Sequence, residues 1–229
     1  MFISIQQPEF FPWLGFFDKA RQVQKVVILD SVQFKKRYFE NRNKVRTSTG
    51  SAWINVPVLT KGKFKQNINE VKIDNSQDWQ RKISQTLKFS YQKAPYWEQF
   101  GGPLLDILSS QYSDLVELNI AVIKYMLSSF GLEKEMVLSS ALGQSSSGSE
   151  LILDICQSVQ AKHYLSGRDG KNYLEESAFN ERGIELSYQD FKHPEYSQIH
   201  GSFLSHMSAV DLLLNQGEKS LDIISGAQS

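Results

Sequence analysis

The sequence predicts an α/β fold: an open, mostly parallel, Rossmann-like sheet carrying an inserted β-hairpin and a helical segment. Three observations predict it. Short apolar, β-branched runs near residues 3, 28, 137, 164 and 187 are separated by helix-like segments, the alternation that builds parallel sheets. Between residues 51 and 74 the pattern becomes apolar-in and charged-out, the mark of antiparallel pairing. From residue 79 to 131 it is purely helical. The expected organisation is a core of residues 1–50 and 132–229, with residues 51–131 inserted as a hairpin and three helices.

Phe2–Ile5 is an apolar run stopped by Gln6-Gln7-Pro8, since proline has no N–H to give to a strand ladder. After a loop through Gly15, Phe16–Val23 forms a short helix, and Val26–Leu29 is a second β-branched run ending on Asp30. Strand, helix, strand is the unit of a parallel sheet. In Ser51–Leu59, Ile54, Val56 and Val58 alternate and Pro57 marks an edge; Val71–Asp74 returns across a Lys61-Gly62-Lys63 turn. Trp79, Ile83 and Leu87 share one helical face behind a Ser76 cap. Pro95 opens a second helix with Phe100, Leu104, Leu105 and Leu108, and a third runs from Ser113 to Phe130 before Gly131. Met136–Ser139, His163–Leu165 and Ile184–Phe191 are the remaining strands. Ser147-x-x-Glu150 is a capping box before Leu151, Ile152, Ile155 and Val159. A further helix ends at Gly183, and Ser208-x-x-Asp211 opens a final one that stops at Gly217.

The 229 residues, 41% hydrophobic and 22% charged, have the composition of an ordinary folded domain with a sizeable core. Lys+Arg and Asp+Glu number 25 each, which excludes binding driven by bulk basic charge and leaves room for a local basic groove. One cysteine excludes an internal disulfide framework and any Cys-rich zinc site, and fits a reducing compartment. Met1–Ile5 lacks the basic and long apolar regions of a secretion signal. The apolar stretch 115–130 is interrupted by Glu117, Asn119 and Lys124, so no membrane span is expected. A soluble, cytoplasmic protein is the expectation.

A doubly wound sheet that reverses across its first and third strands gathers four loops at their carboxyl ends into a ligand crevice. These are Gln6–Gly15, Asp30–Arg46, Ser139–Gly148 and Ser166–Tyr173. The first, with two prolines and three aromatics, is stiff enough to aim Gln6 and Gln7 at a ligand; the alternative for Phe10, Phe11 and Trp13 is an aromatic plug. The second holds six cations within Lys35–Arg46, and its Gln33, Lys36, Asn41, Arg42 and Asn43 suit phosphate and sugar hydroxyls. The alternative is a solvated charged loop. The fourth, with Ser166, Gly167, Arg168, Lys171 and Tyr173, can cradle an anion, although it matches no Walker or GxGxxG pattern.

Asp30 and His200 are the general-base candidates. The four histidines do not place two ligands on one helical face, so no metal site is expected, and Cys156 reads as a small core residue.

In this order the segments resemble the WbqC-like protein family. The matching residues are Gln7-Pro8 with Phe11-Pro12-Trp13-Leu14-Gly15, Leu29-Asp30 with Gln33-Phe34 and Lys36, and Asn41-Arg42-Asn43. Trp53, Val56-Pro57-Val58, Tyr91, Pro95-Tyr96, Tyr164-Leu165-Ser166-Gly167, Gly170, Tyr173 and the Asp211–Gly217 tail continue it. Many members carry His where this chain has Gln6. The resemblance implies a part in bacterial surface-polysaccharide (O-antigen, lipopolysaccharide) biosynthesis, with transfer of glycine or another acyl group to an amino sugar.

The expected function is therefore a transferase that adds an aminoacyl (glycyl) or acyl group to a nucleotide-linked or glycan amino sugar. The alternatives are a nucleotidylyl-transferase-like or ATP-activating enzyme, and a non-enzymatic binding module of a glycan-assembly complex. No cofactor is required by the sequence; a nucleotide or an activated acyl or aminoacyl donor is the expected co-substrate. The expected partner is an anionic small molecule such as a nucleotide sugar. A tRNA-borne aminoacyl donor is conceivable without being the favoured one, and other glycan-assembly proteins are conceivable partners.

Overall fold

The strands form where β-branched runs can be buried on both faces, as parallel strands require. The structure, a computed structural model, describes residues 1–226. β1 (Phe2–Gln6), β2 (Lys25–Ile28), β5 (Glu135–Leu138), β6 (His163–Ser166) and β7 (Glu185–Tyr188) make one parallel sheet in the order β5-β2-β1-β6-β7. Ile3, Val26, Val27 and Ile28 are fully buried in it. β3 (Arg42–Thr47) and β4 (Gly50–Asn55) form a separate antiparallel pair. The α/β expectation, with a parallel sheet and a small hairpin, is what the chain adopts.

The chain divides into two compact units. The first comprises Met1–Gln7, Phe16–Ser31 and Lys134–Lys192. It contains the parallel sheet, most of α1 (Leu14–Gln22), and the helices α5 (Gly148–Ser158) and α6 (Glu176–Glu181). Of the described residues, the second comprises Pro8–Gly15, Val32–Glu133 and 193–226. It contains the hairpin and the helices α2 (Trp79–Tyr91), α3 (Trp97–Ser109), α4 (Leu115–Ser129), α7 (Ala209–Gln216) and α8 (Ser220–Ser225). Residues 32–50 and 193–226 lie in the second unit.

Several expectations are corrected. The sheet reverses between β1 and β6, the first and fourth of its strands in chain order, because β5 pairs in parallel on the far side of β2. The hairpin lies at 42–55, pairing Lys44 with Trp53 and Asn43 with Ile54. Of the expected pairing between 51–59 and 71–74 only a single bridge, Val58 with Ile73, remains. The misplacement has a physical cause. Arg42, Lys44 and Arg46 alternate with Asn43 and Val45, and a run of five with a single apolar residue does not stand out as a strand. Helix α2 begins after Asp78, and Ser76 donates its hydroxyl to Asp74 Oδ1 at 2.6 Å.

In the second unit the aromatic loop is a plug. Phe10 and Phe11 are fully buried and meet edge to face at 4.7 Å. Trp13 lies across Gly15, where a Cβ would stand 2.3 Å from the indole, so the motif needs glycine. Pro12 O accepts from Ala209 N at 2.9 Å, and Lys44 O accepts from Ser208 N at 2.8 Å, which ties α7 to both segments.

Candidate functional site

The order of the sheet strands is 3-2-1-4-5 when they alone are numbered along the chain, the doubly wound order that binds nucleotides at its point of reversal. Here that point is the carboxyl end of β1 and β6. Gln6 closes β1 and is buried, with Nε2 donating to Ser4 Oγ and Phe16 O, both at 3.4 Å. Those bonds are long, so the amide can exchange them for better partners. Gln7, half-buried, ends this stretch of the first unit.

Ser166 closes β6 and is buried, and the chain then turns through a 3₁₀ segment, Arg168–Asn172. A Cβ on Gly170 would come within 2.1 Å of Ser166 Oγ, so glycine lets this turn fold back onto the strand end. A Cβ on Gly167 would stand 3.7 Å from Lys19 Nζ, which places the α1 ammonium beside the turn. Arg168 reaches Asp190 at 3.5 Å on the surface, and Lys171 Nζ lies 5.2 Å from the Tyr188 ring centre. Tyr173 is exposed over about half its surface, and partial burial and then the Asp169 charge push its phenol up.

Asp30 follows β2, next to β1, and Leu29 N donates to Gln6 O at 2.8 Å. Its carboxylate is fully buried and accepts three hydrogen bonds. Ser139 Oγ and Ser140 N donate to Oδ1, each at 2.9 Å, and Ser140 Oγ donates to Oδ2 at 2.7 Å. Ser140 is exposed, so its hydroxyl joins the solvent side to a buried carboxylate. Nothing in the sequence pattern marks this pairing across 110 residues; only the adjacency of β2 and β5 creates it.

The other candidates belong to the second unit. Asn43 is buried, donates Nδ2 to Phe11 O at 2.7 Å and accepts from Lys44 N at 2.8 Å, which holds the aromatic plug to the hairpin. Asn41 donates Nδ2 to Asn55 Oδ1 and Val56 O at 3.0 and 2.9 Å. Gln33 is exposed and donates to Phe64 O at 3.0 Å; Lys36 Nζ lies 5.4 Å from the Phe64 ring centre. Arg42 stacks on Trp53, its guanidinium carbon 4.2 Å from the ring centre. His200 Nε2 lies 2.7 Å from Ser90 O. A carbonyl only accepts, so Nε2 carries the proton and Nδ1 is the lone-pair nitrogen of the neutral ring.

Sequence reasoning missed two polar features of this unit. Arg46 donates to the carbonyls of Thr47, Gly50 and His200 at 3.0, 2.7 and 2.7 Å, and so fastens the His200 loop to the hairpin. Asp211, in the first turn of α7, is fully buried and accepts from Tyr91 Oη, Tyr196 Oη and Gln198 Nε2. Burial still pushes its carboxyl up, against the pull of those three donors. Two tyrosines and a glutamine far apart in sequence give no local sign of this convergence.

Among the described residues no group of three or more His, Cys, Asp and Glu side chains is placed to hold a metal ion, and no helix is long and apolar enough to cross a membrane. No solved structure matches the chain. An uncharacterized protein of Mycobacterium tuberculosis (strain ATCC 25618 / H37Rv), Rv1507c, is 32% identical over 224 residues, covering 97% of this chain and 96% of that protein. The model of the WbqC-like protein family matches residues 7–223, from the Gln7-Pro8 block through the α7 tail, and the chain belongs to that family.

Proposed function

We propose that this chain is a transferase of bacterial surface-glycan assembly that adds a glycyl or other acyl group to an amino sugar carried on a nucleotide. The observation that carries the reading is the reversal point of the parallel sheet. There a buried amide (Gln6), a buried hydroxyl (Ser166), a glycine-dependent turn and the Lys19 ammonium lie at adjacent strand ends. This is where doubly wound sheets seat a nucleotide, and the residue types match a diphosphate and a sugar hydroxyl.

An amine attacks an acyl carbonyl only after losing a proton, so a base must lie within reach. In the first unit that base is Asp30, reached through Ser140. The sugar ammonium gives its proton to Ser140 Oγ as that hydroxyl passes its own to Asp30. The free amine then bonds to the acyl carbon, the bond to the donor's carrier breaks, and the carrier leaves with the electron pair and takes up the second proton that the nitrogen loses as the amide forms. In the second unit, Nδ1 of His200 is the other candidate base.

The test is turnover of a panel of nucleotide-linked amino sugars with activated glycyl and acetyl donors, followed by mass spectrometry of the sugar. Asp30→Asn is expected to lower kcat with little change in KM, and Lys19→Ala to raise KM. If Asp30→Asn and His200→Ala both turn over normally, the base assignment is wrong. If no nucleotide sugar gains an acyl group and pyrophosphate appears on mixing with ATP, the chain is a nucleotide-activating enzyme instead. That second reading is favoured by the same strand–loop–helix start at β1 and α1.

A further inference from the structure

We propose that the exposed face of the β3–β4 hairpin, with the loop that precedes it, binds single-stranded nucleic acid. The inference is independent of the transferase reading, because it rests on residues of the second unit alone.

The hairpin buries one face and exposes the other. Asn43, Val45 and Ile54 point into the core, whereas Arg42, Lys44, Trp53 and Asn55 alternate onto the opposite side. Four large rings lie exposed here or in the adjoining loops: Trp53 at 46%, Tyr38 at 45%, Phe39 at 37% and Phe64 at 78%. A soluble fold rarely leaves so many rings in water within one short segment without a use for them.

Each ring but Phe39 has a cation against it. Lys35 Nζ lies 5.4 Å from the Tyr38 centre and Lys36 Nζ 5.4 Å from that of Phe64. Arg42 and Lys44 both approach Trp53, at 4.2 and 5.1 Å. Phe39 bridges the set, 5.1 Å from Tyr38 and 6.4 Å from Trp53. Tyr38, Phe39 and Trp53 are thus linked in series from the loop onto the hairpin, a platform on which successive bases can stack.

The charge is as uneven as the aromaticity. Residues 35–65 hold nine of the chain's 25 basic residues and one of its 25 acidic ones, Glu40, which is buried. The rest of the chain carries 16 basic residues against 24 acidic ones. A neutral protein has therefore concentrated positive charge on one segment, the footprint of a polyanion. A groove of about 250 Å³ lined by Trp53, Asn55, Pro57, Gln77, Trp79 and Lys82 adds amides and a further cation beside the indole.

Three polyanions fit such a charge pattern, and the rings choose between them. Duplexes offer phosphates but no free base faces. Acidic glycans stack on bare rings, yet the Trp53 ring already carries a guanidinium. A guanidinium plane on an indole is itself a stacking surface for a nucleobase, and single strands supply bases and phosphates together.

The test is fluorescence anisotropy with a labelled 15-nucleotide single-stranded RNA at 50 and 200 mM salt, run beside its duplex and polygalacturonate. The single strand is expected to bind most tightly. Its affinity should fall about a hundredfold between the two salts if five phosphates are neutralised. Trp53→Ala should weaken binding about tenfold, as loss of one stacked base does. Trp53→Phe, which keeps a ring, should retain most of it. Arg42→Gln should weaken binding and flatten the salt dependence, with circular dichroism showing each variant folded. No binding at 50 mM salt overturns the proposal. So does unchanged binding by Trp53→Ala, or equal capture of duplex RNA or polygalacturonate.

Discussion

Tyr91 Oη donates to Asp211 Oδ1 at 2.8 Å and accepts from the backbone N–H of Arg46 at 2.8 Å, so one phenol joins α2, α7 and the hairpin. The two residues are 120 positions apart in sequence. Burial pushes the Tyr91 phenol well up, and the Asp211 charge adds to that effect. Asp211→Ala would strand two buried phenols and take one of the bonds of the Gln198 amide, and it is expected to destabilise by about 3 kcal/mol. A urea midpoint measurement checks this. Tyr91→Phe, which removes one donor and keeps the ring, is expected to lose less.

The turn after β6 makes a geometric prediction. A Cβ on Gly170 would overlap Ser166 Oγ at 2.1 Å and press Leu174 at 3.0 Å. Gly170→Ala is expected to destabilise by about 1–3 kcal/mol, the usual range for overpacking. In a Ser166→Gly background the largest clash is gone, so the same substitution should lose less. A double-mutant cycle reads the coupling.

Glu40 predicts an unusual pH dependence. Its backbone carbonyl accepts from Asn119 Nδ2 at 2.8 Å, and Phe39 O from Phe10 N at 2.9 Å, so the chain here is pinned. Both carboxylate oxygens are buried, and no donor meets them at good hydrogen-bond geometry. Burial pushes the carboxyl up against weaker pulls from its own N–H, the Lys35 ammonium and the Lys35 N–H. A raised folded value means that the charged form is penalised above it, while below the unfolded value of about 4.3 both states are protonated. Glu40→Gln should therefore stabilise by about 1 kcal/mol at pH 7.5, and the gain should vanish by pH 4. Denaturant midpoints at the two pH values decide it.

Cys156 is fully buried in α5, and burial pushes its thiol up to about 12. Thiolate is the reactive form, so the native protein at pH 8 should resist iodoacetamide and react once unfolded in urea. Rapid alkylation of the native state would contradict this placement.

Periodicity located the five strands of the sheet, the short helix after β1 and the helical run from 79 to 130, because burial on a regular element imposes its own spacing. The family was legible too, in the Gln7–Gly15 block, where Trp13 lies across Gly15 and so requires glycine. Strand order was not legible. Whether β5 or β6 takes the place beside β1 depends on how the crossovers pack, and no local pattern records that. The reversal point was therefore expected beside the wrong loop. The roles of Asn43 and Asp211 were also hidden, since an amide or carboxylate that meets distant partners looks the same in sequence as one that meets solvent.

The sequence by itself determined the class of fold, the alternation of elements, the lone core cysteine, the family and the basic, aromatic character of residues 35–65. Each of these follows from composition or short-range spacing, which the chain carries before it folds. The tertiary structure alone decided that Ser140 hydrogen-bonds Asp30, that Tyr91, Tyr196 and Gln198 converge on Asp211, and that Arg42 stacks on Trp53 across the hairpin. These are contacts between residues that are not neighbours in the chain. They are fixed by which surfaces pack together, a property of the whole molecule and of no single segment.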